Sequence, residues 1–239
     1  SGPAASIMGA IPYAPEKIDT VVLDVGGTTT DIAFFVDKAP LLEPLGIQWG
    51  EYKSLIRSLW TESQGIGGDS VVRVKDGKLS IGPDRKGLAM AFGGPEPTPT
   101  DALVVMGLMP ADNSENANKG IHEIAQQLGL DDIEAAGMIF EKCCRIILKK
   151  TFEMIDKINT KPVYTVHEFL EKYQFTPEKI LLLGGPAPYF AKKIEEMYHI
   201  KTLAVPESSV ANAIGAALAR TTSEVSLNAD TEQGIQTAY

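Results

Sequence analysis

The stretch that most constrains the fold of this chain reads TVVLDVGGTTTDIAFFV, from Thr20 to Val36. Two apolar, β-branched runs, residues 20–25 and 31–36, flank a Gly-Gly-Thr-Thr-Thr segment, and apolar runs separated by a glycine pair are typical of a β-hairpin. Each run carries an acidic residue beside the turn, Asp24 in the first and Asp31 in the second. The sequence therefore predicts two antiparallel strands joined by a polar turn that lies between two carboxylates.

The turn has the composition of a phosphate site. Its glycines permit backbone conformations closed to other residues, so successive N–H groups can converge on one anion, and the threonines add hydroxyl donors. The predicted phosphate contacts are Gly26, Gly27, Thr28, Thr29 and Thr30. Because Asp24 and Asp31 would repel an anion, we expect them to hold Mg2+ beside it, mostly through water. The alternative is a structural hairpin with threonines as strand formers and aspartates as turn caps.

The composition is that of a globular protein. With 239 residues, 44% of them hydrophobic, the chain can form one large domain or two small ones. The net charge of −9 argues against binding to nucleic acid, which usually needs a basic surface. The sequence contains no apolar run long enough for a membrane helix and no signal segment, so we expect no membrane association.

Cysteine and histidine point to no metal or disulfide chemistry. Cys143 and Cys144 are the only cysteines and are adjacent in an apolar run, so we expect buried, reduced thiols of a cytoplasmic protein. His122, His167 and His199 stand far apart, without metal-ligand spacing. We expect them to be ordinary surface or core residues.

A second glycine-rich turn follows the hairpin. Its candidate residues for nucleotide binding are Gly67, Gly68 and Asp69. Asp69 or Ser70 is expected to cap a helix whose N-terminus faces an anion. Beyond this turn, residues 71–82 alternate around Asp76 and Gly77, which is a strong short-range signal for a hairpin.

Helical periodicity marks the middle of the chain. Apolar residues recur with the helical period over residues 114–129 and 131–159, and a short helix is expected near 166–173. Ahead of these segments, Thr100 or Asp101 is expected to cap a helix that follows a proline-rich turn.

The last third predicts strands alternating with helices. An apolar run from Lys179 ends at Gly184 and Gly185 and is followed by a helical pattern, which places backbone N–H groups at a sheet edge where ligands bind. An ordinary tight connection between strand and helix is the alternative. Residues 201–205 predict another strand, and a small-residue helix follows from Ser208.

The motif Asp-Val-Gly-Gly-Thr-Thr-Thr-Asp resembles the second phosphate loop of the actin, sugar-kinase and heat-shock ATPase superfamily, a β-hairpin that binds the β- and γ-phosphates. Residues 1–10 and the helix from Ser208 resemble the helices that connect the two lobes there. The resemblance implies an α/β fold, a ribonuclease-H-like second lobe whose mixed sheet is flanked by helices. It also implies that Gly184 and Gly185 contact adenosine.

Several motifs in order narrow the resemblance to the hydantoinase/oxoprolinase A family. They are the opening Ser-Gly-Pro-Ala-Ala, the phosphate loop, a Gly-Gly-x-Ser segment, the Asp-Gly hairpin with Ile-Gly-Pro, and the run from Gly93 to Leu108. The chain departs from the family pattern at Asp69, which replaces a glycine. It also departs at residues 84–93, which lack a Pro-Gly-Pro-Ala-Cys-Tyr-Gly run. These departures affect the identification of the substrate more than that of the fold.

This second resemblance implies ATP-dependent hydrolysis of a C–N bond in a small cyclic amide, such as a hydantoin or 5-oxoproline. Phosphorylation of the amide oxygen would activate the ring toward water. ATP and Mg2+ are the implied cofactors, and Asp24 and Asp31 are the implied catalytic and metal-binding residues. Two alternatives are an ATPase subunit or reactivating factor that acts on a partner enzyme, carboxylase-like or chaperone-like, and a non-catalytic interaction domain.

The same resemblance leads us to expect one lobe of a larger protein. Residues 1–239 read as a single domain, with the helical stretch 112–175 as a candidate subdomain, and residues 221–239 are polar without periodicity. A first phosphate loop is missing from this sequence. We therefore expect the partners to be a first lobe and a second subunit, and the isolated chain to bind nucleotide weakly and to be inactive.

Overall fold

A computed structural model of the chain describes most of its residues. The described ranges are 2–43, 48–49, 52–53, 58–111, 113–160, 174–218, 227–230, 232 and 234–238. Their helices are α1 (Gly2–Ala10), α2 (Pro99–Val105), α3 (Ser114–Leu128), α4 (Asp132–Thr160), α5 (Ala187–Tyr198) and α6 (Ala211–Leu218). Their strands are β1 (Thr20–Val25), β2 (Thr30–Val36), β3 (Ala39–Pro40), β4 (Leu42–Glu43), β5 (Gln48–Trp49), β6 (Tyr52–Lys53), β7 (Ser58–Leu59), β8 (Thr61–Gln64), β9 (Val72–Lys75), β10 (Lys78–Ile81), β11 (Lys179–Leu183), β12 (Lys201–Ala204), β13 (Leu227–Asp230) and β14 (Ile235–Ala238).

The central sheet is built around the predicted hairpin. Strands β1 and β2 pair antiparallel, from Thr20 opposite Phe35 to Val25 opposite Thr30. On its other side β1 pairs in parallel with β11, which pairs in parallel with β12. Strands β3 and β8 both pair with the free edge of β2. The sheet is therefore mixed, and the hairpin predicted from the sequence is confirmed.

Helices cover both faces of this sheet. Val21, Leu23 and Val25 point to one face, where they pack in a single core with α3, α4 and α5. Val22 points to the opposite face and packs with α1 and α6. Because side chains alternate along a strand, Asp24 lies on the same face as Val22. The predicted α/β class, a mixed sheet flanked by helices, is confirmed.

The second hairpin and the long helices also follow the sequence prediction. Strands β9 and β10 pair antiparallel, and the turn residues Asp76 and Gly77 have positive φ values of 49° and 69°, as a tight hairpin turn requires. Helices α3 and α4 occupy the predicted helical segments. Cys143 and Cys144 are free thiols buried in α4. Burial raises the pKa of Cys144 to about 12.

Two predictions about helix caps are wrong. Asp69 and Ser70 cap no helix, because the chain continues directly into the β9–β10 hairpin. Helix α2 is capped by Thr98 rather than by Thr100 or Asp101. The Thr98 hydroxyl accepts from the Asp101 N–H, and the Asp101 carboxylate accepts from the Thr98 N–H. Asp101 is therefore the second member of a capping box.

Strands β13 and β14 pair antiparallel within residues 221–239, the polar stretch without periodicity. The short helix predicted near 166–173 lies outside the described residues, as does His167. The candidate subdomain boundary at 112–175 stays a prediction. Within the described ranges, the helices are too short or too polar to cross a membrane.

Small residues bring α1 and α6 into close contact. A Cβ atom at Gly215 in α6 would overlap the carbonyl oxygen of Ala5 and lie 2.6 Å from the Gly9 nitrogen in α1. A Cβ atom at Gly9 would likewise overlap the carbonyl oxygen of Ala211. The two helices therefore touch through their backbones, and together they cover the face that carries Asp24.

We predict that Gly215→Ala lowers the free energy of unfolding, because an overpacked contact costs about 1–3 kcal/mol. That cost exceeds the gain in helix propensity of about 1 kcal/mol from Gly to Ala. Gly137→Ala in α4 is the matched control, since a Cβ atom there meets no atom within 4 Å. We expect this control to be stabilising. Urea unfolding of both variants measures the difference, and equal stabilisation would contradict the backbone contact.

Candidate functional site

The turn between β1 and β2 carries the predicted phosphate contacts. The Gly26 N–H donates to the Thr29 carbonyl at 2.9 Å and closes the turn. The N–H groups of Gly27, Thr28 and Thr29 donate to no acceptor in the described part of the chain. Consecutive N–H groups without a protein acceptor at a turn are available to an anion. We call residues 26–29 the Thr loop.

The second glycine-rich turn packs directly on the Thr loop. The Gly68 N–H donates to the Gly26 carbonyl at 2.9 Å, and the Asp69 N–H donates to the Gly27 carbonyl at 2.8 Å. A Cβ atom at Gly67 would overlap the carbonyl oxygen of Gly26. These contacts bring the two turns together.

Thr30 has a different position from the other predicted phosphate contacts. Its side chain is buried at the start of β2, and its hydroxyl donates to the Ile66 carbonyl at 2.8 Å. This hydrogen bond fixes the second turn against the hairpin. The Thr28 side chain, in contrast, is exposed at the loop.

Asp24 and Asp31 lie side by side at the end of the hairpin. They are directly opposite in the β1–β2 ladder, so their side chains share one face of the sheet. Burial raises the pKa of Asp24, a hydrogen bond from the Ser6 hydroxyl lowers it, and the charge of Asp31 raises it again. The Asp31 carboxylate accepts a hydrogen bond from the Ser63 hydroxyl. Two carboxylates in this arrangement repel each other unless a proton or a cation lies between them.

The turn after β11 lies against the same end of the sheet. Gly184 has φ of 92°, and a Cβ atom there would overlap the carbonyl oxygen of Val25 and lie 3.0 Å from Oδ1 of Asp24. Its N–H donates to the Ser208 carbonyl at 2.9 Å. Around Gly185 a Cβ atom would meet no atom within 4 Å. Gly184 therefore allows the close approach, and Gly185 borders open space.

Arg85 belongs to this site, although the sequence analysis did not select it. Its Nη1 donates to Thr28 Oγ1 at 2.8 Å, its Nη2 to Asp69 Oδ2 at 2.7 Å and its Nε to the Gly87 carbonyl at 3.0 Å. Arg85 and Thr28 are 57 residues apart, so no local pattern links them. The available signal in the sequence was the unusual segment 84–93, which departs from the family pattern.

Burial of Asp69 and the guanidinium of Arg85 have opposite effects on the pKa of Asp69. Burial raises its pKa, and the charge and hydrogen bond of Arg85 lower it, as does a hydrogen bond from the Ala89 N–H. The nearby charge of Asp101 raises it. Asp69 thus serves as the partner of Arg85 and not as a helix cap.

The arrangement suits a magnesium nucleotide better than a metal held by protein alone. In the described ranges, no three His, Cys, Asp or Glu side chains cluster so that they could hold a metal ion. Asp24 and Asp31 form a pair of adjacent carboxylates beside N–H groups that have no acceptor in the described ranges. Mg2+ commonly takes one or two carboxylates and completes its shell with water and phosphate oxygens.

Comparisons with known proteins identify several relatives of this chain. The gamma subunit of acetophenone carboxylase from Aromatoleum aromaticum is 35% identical over 161 residues, which are 58% of this chain and 21% of that relative. The nucleotide-free structure of acetone carboxylase aligns with a TM-score of 0.74 and 19% identity, covering 95% of this chain and 33% of the other. An ATP-dependent caprolactamase from Pseudomonas jessenii aligns with a TM-score of 0.63 and 22% identity, covering 90% of this chain and 31% of the other.

These likenesses show that the chain shares its fold, a mixed sheet flanked by helices, with part of each of these two structures. The chain spans about one fifth of the length of the curated relatives that it matches. The family model described as hydantoinase/oxoprolinase matches residues 1–225. The chain therefore belongs to the hydantoinase/oxoprolinase family.

Proposed function

We propose that this chain is the Mg-ATP-binding lobe of an ATP-dependent hydrolase that opens small cyclic amides. The observation that supports nucleotide binding best is the Thr loop, with three N–H groups that have no acceptor among the described residues. The second glycine-rich turn, the Asp24–Asp31 pair and the Gly184 turn all adjoin it. Family membership supports the ATP-dependent reaction.

Each part of the site has a role in this proposal. The N–H groups of Gly27, Thr28 and Thr29 bind phosphate oxygens, and the hydroxyls of Thr28 and Thr29 add further donors. The hydroxyl of Thr30 positions the second turn instead, since it donates to the Ile66 carbonyl. Gly185 borders the space for adenosine, and Gly184 lets that turn approach Asp24.

Asp24 and Asp31 hold Mg2+ through water in this proposal. Their mutual repulsion in the absence of a cation favours binding of a divalent ion between them and the phosphates. Oriented N–H groups then stabilise the charge that develops on the phosphoryl group, which is the main catalytic factor in such sites. When bound, Mg-ATP supplies the phosphoryl group that activates the amide oxygen.

The reaction is tested on the intact protein that carries this sequence. With Mg-ATP and 5-oxoproline or hydantoin, we expect ADP and the ring-opened product in equal amounts. Asp24→Asn should abolish both products. ADP release that needs no cyclic amide would contradict the proposed substrate class.

A second candidate is the ATPase subunit of a carboxylase. It is favoured by the 35% identity to the gamma subunit of acetophenone carboxylase. In this case ATP turnover should require bicarbonate, a ketone and a partner subunit, and cyclic amides should have no effect. Comparing the two sets of substrates on the same preparation distinguishes the candidates.

For nucleotide binding, we predict that Asp24→Asn weakens Mg-ATP binding about 10- to 100-fold, the usual cost of losing a group that supports a metal through its outer shell. Asp156→Asn, on the exposed side of α4, removes the same charge far from the hairpin in sequence and is the control. Binding is followed by the amide NMR signals of Gly26 and Gly27, which detect weak association. If Asp24→Asn binds Mg-ATP with the affinity of the parent, the proposed metal site is wrong.

The raised pKa of Asp24 leads to a second prediction about the same variant. Because the folded chain holds this proton to higher pH than the unfolded chain, deprotonation destabilises the fold as pH rises above the ordinary carboxyl pKa of 3.8. Asp24→Asn should therefore unfold at a higher temperature than the parent at neutral pH. The difference should shrink below pH 3.8, where the carboxyl is protonated in both states. Thermal melts of parent, Asp24→Asn and Asp156→Asn test this, and a destabilised Asp24→Asn at neutral pH would contradict it.

A further inference from the structure

The guanidinium of Arg85 is fixed at the Thr loop by three hydrogen bonds. They go to Thr28 Oγ1, Asp69 Oδ2 and the Gly87 carbonyl, with lengths between 2.7 and 3.0 Å. An arginine side chain has five N–H donors in a planar fork. Two of the five donate to no acceptor among the described residues. Its side chain is 36% exposed, so these donors can reach a ligand.

The bond to Thr28 also orients that hydroxyl. Because Thr28 Oγ1 accepts from Arg85, its own proton is free to donate elsewhere. A hydroxyl that accepts a charge-assisted hydrogen bond is a stronger donor to the next acceptor. Arg85 therefore has two N–H donors of its own for a ligand, and it orients the Thr28 hydroxyl as a third donor.

The positive charge of Arg85 offsets negative charge around the Thr loop. The Thr loop lies among the carboxylates of Asp24, Asp31 and Asp69, which together repel a polyphosphate. Arg85 is the cation that the structure brings into hydrogen bonding with both the loop and Asp69. Partial neutralisation of Asp69 by Arg85 removes part of the repulsion that phosphate would meet.

The segment that carries Arg85 is held in place by a buried carboxylate. Asp101 accepts hydrogen bonds from the N–H groups of Met90 and Ala91 at 3.0 and 2.8 Å. It is fully buried and also accepts from the N–H and hydroxyl of Thr98. The capping box of α2 thereby anchors the residues that follow Arg85.

From these contacts we propose that Arg85 is a phosphate-binding residue of the Thr loop, which donates to the terminal phosphate of the nucleotide through its two remaining N–H groups. This inference rests on the proposed nucleotide-binding function. The inference gives a role to segment 84–93, which departs from the family pattern. This segment places a cation beside a loop that carboxylates surround. Asp69, in turn, holds the guanidinium in position.

The test compares Arg85→Gln with Arg73→Gln. Arg73 pairs with Asp84 at 3.0 Å, and its side chain is 35% exposed, against 36% for Arg85, so the control removes the same charge from a similar environment. Arg85→Lys keeps the charge but cannot reproduce the planar fork. Each variant is titrated with Mg-ATP and separately with adenosine, which carries no phosphate. Binding is followed by the amide signals of Gly26 and Gly27 for the loop and of Gly185 for the adenosine side.

We expect Arg85→Gln to weaken Mg-ATP binding about ten-fold or more, the loss typical of a hydrogen bond to a charged group. Adenosine binding should not change, Arg73→Gln should match the parent, and Arg85→Lys should be intermediate. If Arg85→Gln binds Mg-ATP like the parent, the inference is overturned and the nucleotide site stands. Equal losses for Mg-ATP and adenosine would also overturn it, since they indicate a structural effect. If the parent binds no Mg-ATP, the proposed function fails and this inference fails with it.

Discussion

The site depends on hydrogen bonds between the backbones of two turns. Gly68 and Asp69 donate to the carbonyls of Gly26 and Gly27, and no Cβ atom would fit at Gly67. The second turn occupies the carbonyls of Gly26 and Gly27, while the N–H groups of Gly27, Thr28 and Thr29 have no acceptor among the described residues. A side chain between the two turns would separate them and break the hydrogen bonds from the second turn to the carbonyls of the Thr loop.

The fold places two carboxylates side by side, which is unfavourable for stability. Asp24 lies between β2 and α1, so its carboxylate is partly removed from water beside a second carboxylate. Such an arrangement costs stability unless it has a compensating ligand, and groups with raised pKa values are common at functional sites. The close contact of α1 and α6 maintains this burial, because both helices cover that face of the sheet. Packing far from the loop thus contributes to the properties of Asp24.

The sequence predicted local features well and long-range contacts poorly. The hairpin from Thr20 to Val36, the Asp76-Gly77 turn and the strand before Gly184 each have their signal within a few residues, and the structure has them at those places. The cap of α2 was misplaced because Thr98, Thr100 and Asp101 are all good capping residues and only the backbone decides between them. The hairpin in residues 227–238 was missed, since short polar strands lack periodicity.

Arg85 shows why the most informative contact was not predictable. It reaches Thr28 across 57 residues and Asp69 across 16, through a segment whose course is set by the buried Asp101. The family pattern shows only that the residue types of this segment differ from those of other members. It contains no information about the contacts that these residues make. Asp69 was read as a helix cap for the same reason, whereas its carboxylate has a cation as partner. A divergent Asp and a divergent Arg in one family member are therefore best interpreted together, as the two halves of one ion pair at the loop.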